Sequence, residues 1–382
     1  VGENDAQLTR RKPRVLQVIG SMHIGGAENV VMHLMRGLNR DGFDVALYCT
    51  KELGVLADEL VAESADVRHT ASRGRIRRYL TPVFLRRAIA SFKPDIVHTH
   101  GRTAVLHVGP LALVGGVPTW VHTFHFGGYD KLDRRQLMME RFLCRGATQF
   151  VAVSDPQRHS IVRHHDIDAD RIVTVLNGVT PNPYTADPRI GAAARAELGL
   201  APDAIVVGTI AVLSEQKGIP YLLEAVRALR ATNPRVRCLV VGGGPLEGPL
   251  RAHALALGID GDVVFTGWRK DAARLMSVLD VFVMSSLWEA MPMVLLEAMA
   301  ARRSIVVTDV GDNRRVVANG HAGVVVPPAD PDALARGVAE VVGSPARAAA
   351  LRDAAYDEYL GRFSVETMLT NYERLYEQVL PR

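Results

Sequence analysis

The chain has 382 residues, of which 48% are hydrophobic and 23% charged, and its formal net charge is +4. That length suits two domains of ordinary globular composition, and so small a positive excess gives no ground for a nucleic-acid partner. Cys49, Cys144 and Cys238 are far apart and odd in number, which excludes a disulfide scaffold or a cysteine metal centre and fits reduced cytosolic thiols.

Residues 1–14 are polar, include Thr9-Arg10-Arg11-Lys12, and read as a mobile tail. The apolar run Val15–Ile19 is too short for a signal region, and no run reaches the roughly 18 apolar residues of a spanning helix. Short apolar runs then alternate with helical patterns. Arg14–Gly20, Asp44–Cys49, Asp95–His100, Thr119–His125, Gln149–Ser154 and Ile172–Leu176 read as strands, with amphipathic segments such as Ala27–Leu38 and Val83–Phe92 between them. Asn177-Gly178-Val179-Thr180-Pro181-Asn182-Pro183 reads as a linker or hinge.

A second series follows, with strands at Ala204–Ala211, Arg237–Val241, Val263–Gly267, Val281–Ser286, Ser304–Thr308 and Gly323–Val326. Helices are expected over 217–231, 246–257, 269–278, 292–301 and 330–342. The expected architecture is therefore α/β, with two Rossmann-like doubly wound domains, 1–180 and 181–364, facing across a cleft. A terminal helix over 365–382 is expected to pack back on the first domain.

The most informative segment is Glu289-Ala-Met-Pro-Met-Val-Leu-Leu-Glu297. Pro292 fits the first position of a helix, which puts Glu289 in the preceding loop and Glu297 about one and a half turns inside. A helix N-terminus offers open N–H groups to phosphate. A carboxylate on either side suits a ligand that is anionic in its middle and hydroxyl-rich at its ends, as a nucleotide-sugar is.

Other strand ends carry candidates. Gly25 and Gly26 open a helix and allow close approach to an anion, although G-x-G-x-x-G is absent, which argues against a nicotinamide oxidoreductase. Lys217 points a cation into the expected cleft. Gly243 lies in a Gly-Gly-Gly turn that reads as a plain turn more readily than as an approach to a nucleotide, and Trp268 reads either as a flank for a base or as packing at the cleft edge. His98-x-His100 lacks a third ligand of convincing spacing, and His125, at the end of its strand, is the histidine best placed to face the cleft. Arg73, Arg75, Arg77 and Arg78 form a basic run that reads either as a solvated face or as a patch for an anionic membrane surface.

Together these segments resemble the family-4 retaining glycosyltransferases of the GT-B fold. Besides the Glu289–Glu297 block, the resemblance rests on Gln216-Lys217-Gly218, Asp95-Ile96-Val97-His98-Thr99-His100, Ala152-Val153-Ser154, Asn177-Gly178-Val179 and Gly323-Val324-Val325-Val326-Pro327-Pro328. It implies that Glu297 holds ribose hydroxyls and Glu289 the hydroxyls of the donor sugar. Backbone N–H groups around the stretch Met291, Pro292, Met293 and Val294 would receive donor oxygens, Lys217 would neutralise the diphosphate, His125 would lie near the sugar, and Gly25 and Gly26 would approach the phosphates. It further implies transfer with retention, no metal and no cofactor. The donor would be a nucleoside diphosphate sugar, with UDP favoured, carrying a hexose or N-acetylhexosamine. The acceptor would be an envelope lipid, polysaccharide or metabolite, and the location cytoplasmic with peripheral contact at the membrane's inner face. Two departures stand out. Val212 replaces an arginine of many relatives, for which Arg269, Arg274, Arg314 or Arg315 would have to compensate, and Arg315 stands at an acidic position. They motivate the alternative, a non-catalytic nucleotide-sugar-binding homologue.

Overall fold

The computed structural model describes residues 11–38, 42–70, 77–127, 129 and 133–380, with only the backbone of 77–79. Two parallel sheets face each other across a cleft. The first is built from β1 (Arg14–Ile19), β2 (Asp44–Cys49), β3 (Asp66–His69), β4 (Ile96–His100), β5 (Thr119–Phe124), β6 (Gln149–Ala152) and β7 (Ile172–Thr174), in the order β3-β2-β1-β4-β5-β6-β7. The second contains β8 (Ile205–Ile210), β9 (Val236–Val241), β10 (Val263–Phe265), β11 (Val281–Met284), β12 (Ser304–Thr308) and β13 (Val324–Val326), in the order β10-β9-β8-β11-β12-β13. The expected pair of Rossmann-like domains is the architecture observed.

The inner strands are apolar without alternation because helices cover both faces. Val15, Leu16, Val18 and Ile19 of β1 are all buried, as are Val281, Phe282, Val283 and Met284 of β11. β3 was not legible in the sequence. It is a sheet-edge strand reading Asp-Val-Arg-His with no buried residue, so no apolar run marks it.

The helices that matter below are α1 (Gly26–Leu38), α2 (Val55–Ala62), α3 (Arg77–Phe92), α4 (Gly101–Leu113), α5 (Arg134–Leu143) and α6 (Asp155–His165), followed by α7 (Pro188–Glu197), α8 (Ile219–Thr232), α9 (Glu247–Ala256), α10 (Ala272–Met276), α11 (Met293–Ala300), α12 (Asn313–Val316), α13 (Pro331–Gly343), α14 (Pro345–Glu358) and α15 (Val365–Val379). Local chemistry starts several of them. Ser154, Asp187, Asp330, Ser344 and Ser364 each accept a backbone N–H of the first turn of α6, α7, α13, α14 and α15 respectively.

The chain passes between the two sheets twice, and the two passages run side by side. Val179 donates its N–H to the Phe363 carbonyl at 2.9 Å, and Val365 returns one to the Val179 carbonyl at 3.0 Å. After the second passage α15 lies against α1 and the first sheet, with Tyr372 and Tyr376 fully buried. A Cβ on Gly178 would run into the Ser364 carbonyl and stand 2.8 Å from Met368 Cβ. Gly178→Ala is therefore expected to cost about 1–3 kcal/mol, read as a lower denaturant midpoint at unchanged slope.

Candidate active site

Both sheets present the carboxyl ends of their strands to one cavity of about 1030 Å³, where ligands of doubly wound sheets bind. From the first domain come Gly25 and Gly26 after β1, and His125, Phe126 and Gly127 after β5. From the second come Val212, Gln216 and Lys217 after β8, Gly242 after β9, Trp268 after β10, and Glu289 to Val294 with Glu297 after β11. The strand order of the second sheet reverses between β8 and β11, so Lys217 and Glu289 flank its switch point.

The loops after β8 and β11 are laced together. Leu287 donates to the Gln216 carbonyl at 2.7 Å, and Ser285 Oγ donates to the Lys217 carbonyl at 2.9 Å. Gly218, with φ +56°, sits where a side chain would strike the Ser285 carbonyl. This lacing sets Lys217 Nζ 2.6 Å from Glu289 Oε1. Ser286 Oγ donates to the same oxygen at 2.7 Å, and Gln216 Nε2 donates to Glu289 Oε2 at 3.1 Å. The Glu289 side chain is 6% exposed, so three donors replace its water. The sequence treats Lys217 and Glu289 as separate candidates; the structure makes them one ion pair. From sequence Ser286 and Gln216 have no assigned role, although Gln216 precedes Lys217 and Ser286 stands three residues before Glu289.

α11 begins one residue later than expected. Pro292 is its N-cap with ψ 121°, an extended conformation, and Met293 is the first helical residue. The missing proline N–H is still harmless, and Met293 and Val294 carry the open N–H groups of the first turn. Glu297 lies about one turn inside the helix, on the cavity wall. Burial alone pushes its carboxyl from 4.5 up to about 7.

The domains meet closely here. Gly26 stands against Met293, with room for a Cβ only 3.4 Å from Met293 Cγ. A Cβ on Gly127 would collide with the Glu289 carbonyl and the Ala290 nitrogen. Asn177 Nδ2 donates to the Met291 carbonyl at 3.2 Å. Trp268, 56% exposed, stands at the rim over Gly243. It is Gly242, not Gly243, that lines the cavity.

Val212 is part of the cavity wall. Arg269 also lines it but is paired with Asp271 and Glu197, as is Arg274, while Arg314 is held by Asp309. Arg315 reaches across the cleft to Asp155 at 2.9 Å. Lys270 lines the cavity with no carboxylate partner among the described residues. The basic run at Arg73 and Arg75 lies outside the described residues, as do the side chains of Arg77 and Arg78.

This is a recessed site with a part-buried cation, an open helix N-terminus and two carboxylates, set between two Rossmann-like domains. Residues 24–182 match the model of glycosyltransferase family 4, and residues 192–358 match that of glycosyl transferases group 1. The chain belongs to the family-4 glycosyltransferases of the GT-B fold. The Escherichia coli UDP-Gal:alpha-D-GlcNAc-diphosphoundecaprenol alpha-1,3-galactosyltransferase is 25% identical, over 87% of this chain and 89% of its own. The lipopolysaccharide core biosynthesis glycosyltransferase LpsE of Rhizobium meliloti is 26% identical, over 92% and 95%. Anabaena Alr3699/HepE, crystallised with UDP and glucose, superposes with a TM-score of 0.86 at 20% identity, covering 96% of this chain and all of its own.

The raised Glu297 carboxyl has a consequence for stability. The folded state holds that proton more tightly than the unfolded chain, so its contribution is greatest below the unfolded pKa and is lost as pH rises through about 7. Glu297→Gln is expected to leave the melting temperature near wild type at about pH 5 and to raise it by roughly a few degrees at about pH 8, as scanning fluorimetry would show.

Proposed function

We propose that this glycosyltransferase moves a hexose or N-acetylhexosamine, with retention and without a metal, from a nucleoside diphosphate sugar to an envelope lipid, polysaccharide or metabolite acceptor. UDP is the favoured nucleotide, in keeping with the galactosyltransferase named above and with the UDP-bound structural neighbour. The observation that carries the reading is the Lys217–Glu289 pair beside the open N-terminus of α11, with Glu297 one turn further on.

In this reading the diphosphate lies on the Met293 and Val294 N–H groups, with Met291 and Pro292 shaping the approach and Gly25 and Gly26 closing over it. Lys217 swings part of its charge from Glu289 to the departing phosphate, where fixed positive charge lowers the barrier. Glu289, released in part, accepts hydroxyls of the sugar. Glu297 accepts the ribose hydroxyls, Trp268 flanks the base, and His125 borders the sugar. Lys270 is placed to supply the charge that Val212 lacks. No protein nucleophile is needed if the leaving phosphate takes the acceptor proton.

The Lys217–Glu289 pair separates two expected outcomes. Glu297→Ala weakens UDP binding by roughly tenfold. Glu289→Ala leaves UDP binding equal or tighter, because Lys217 loses its competitor, yet lowers transfer by about a hundredfold or more. Calorimetry with UDP and a donor-turnover assay measure both. Wild-type protein that binds UDP tightly but never turns over a UDP-sugar, with or without acceptor, would leave the non-catalytic alternative.

A lipid-linked acceptor is reached at a membrane surface, and α5 supports such contact. Its outward face carries Met138, Met139 and Phe142, 62%, 46% and 52% exposed. Arg134, Arg135 and Arg145 flank them in sequence, as does Arg141, which is paired with Asp166, while its one acid, Glu140, is turned inward to Arg102 at 2.8 Å. Leu106, Leu113 and Val114 of the neighbouring α4 region are exposed too. Large apolar residues among arginines suit an anionic lipid surface. Met138→Asp with Phe142→Asp is expected to abolish co-sedimentation with anionic liposomes and to leave UDP affinity unchanged; retained sedimentation would remove α5 from the proposal.

A further inference from the structure

His125 is joined to the interior by a continuous chain of hydrogen bonds. Its Nε2 lies 3.0 Å from His100 Nδ1. His100 Nε2 lies 2.7 Å from Gln17 Oε1, and Gln17 Nε2 donates to the Tyr376 hydroxyl at 3.0 Å. The Tyr376 hydroxyl lies 2.7 Å from His98 Nδ1, and His98 Nε2 lies 2.7 Å from Thr123 Oγ1. Thr123 Oγ1 in turn is 3.3 Å from the Tyr372 hydroxyl. The members come from β1, β4, β5 and α15, and every one before His125 is buried.

Such a chain has one direction. An amide oxygen only accepts, so His100 Nε2 carries the proton that Gln17 receives. His100 is buried, and desolvation keeps it neutral by lowering its pKa well below the usual value. Its Nδ1 is then bare and must receive a proton from His125 Nε2. On the other side the Gln17 amide donates to Tyr376, Tyr376 donates to His98, and His98 donates to Thr123. Each donor finds an acceptor in that sense. His125, pushed down to about 3 chiefly by burial, is likewise neutral. Its Nδ1 has no hydrogen-bond partner among the described residues.

We propose that Gln17, His98, His100 and Tyr376 are positioning residues whose hydrogen-bond chain holds His125 as the neutral Nε2–H tautomer and offers its Nδ1 to the cavity as an acceptor for a donor-sugar hydroxyl. The sugar contact rests on the reading of His125 given above; the tautomer does not. A hydroxyl that gives its proton to His125 keeps its lone pairs for other donors, so the site favours sugars with a free hydroxyl there over deoxy analogues. The chain also makes the hydroxyl of a residue in α15 a determinant of a contact made after β5.

The test is a long-range proton–nitrogen correlation spectrum of the full chain labelled with ¹⁵N-histidine. His125 is assigned by the signal lost in His125→Gln. The expected result is a neutral ring from about pH 5 to 8 with a protonated Nε2 and a bare Nδ1. A protonated Nδ1 in the wild type overturns the proposal, whether or not any transfer is detected. Tyr376→Phe removes the central link. It should convert the His125 signal to a mixture of tautomers and lower kcat with the donor by roughly tenfold, with KM and UDP affinity within about twofold. An unchanged His125 signal in a folded Tyr376→Phe protein would also overturn it. If that variant does not fold, the wild-type spectrum still decides the assignment.

Discussion

The peptide joining Glu289 to Ala290 is held between two glycines, and the cleft is arranged around it. Gly127 of the first domain and Gly311 of the second both approach so closely that a Cβ on either would collide with the Glu289 carbonyl. Only backbone fits on both sides. Held this way, Glu289 receives Lys217, Ser286 and Gln216 from one direction and presents the start of α11 in another. The distance between the domains at this point is thus set by contact between main chains, and side-chain repacking cannot adjust it.

Taking the Glu289 carboxylate and most of Lys217 out of water is unfavourable, and the pair offsets this through short, multiply donated bonds. In the proposed reading, a diphosphate arriving beside Lys217 would compete with Glu289 for the same ammonium, and a sugar hydroxyl arriving at Glu289 would compensate the loss. A bare nucleoside diphosphate would complete only half of that exchange, which would let the site distinguish intact donor from product.

Much of this was legible in the sequence, and the exceptions have causes. Inner strands showed because burial on both faces leaves unbroken apolar runs, whereas β3, charged and at the sheet edge, did not. The Glu289–Glu297 block showed because proline marks a helix start, though Pro292 proved to be the cap. The pairing of Lys217 with Glu289 was hidden, since 72 residues separate them and only the switch in strand order brings them together. The histidines were visible as His98-x-His100, a pattern that suggests hydrogen bonding more than metal but names no partner. Their true partners, Gln17 and Tyr376, lie on β1 and α15, and no local spacing predicts either. The face of α5 was overlooked because a mixed run of arginine, methionine and phenylalanine looks like an ordinary amphipathic helix until its buried side is known.

α15 bears on how the molecule comes to be folded. Tyr372 and Tyr376 cover β1, β4 and β5, yet β7 ends at Thr174 and α15 begins at Val365, so the whole second domain is synthesised in between. Until α15 arrives, Gln17, His98 and Thr123 lack the tyrosine hydroxyls they bond in the finished fold, and the adjoining apolar surface stays wet. The first domain therefore leaves the ribosome early but is completed late, against the usual amino-terminal-first order. During that interval it is a nascent chain with one face still open to water.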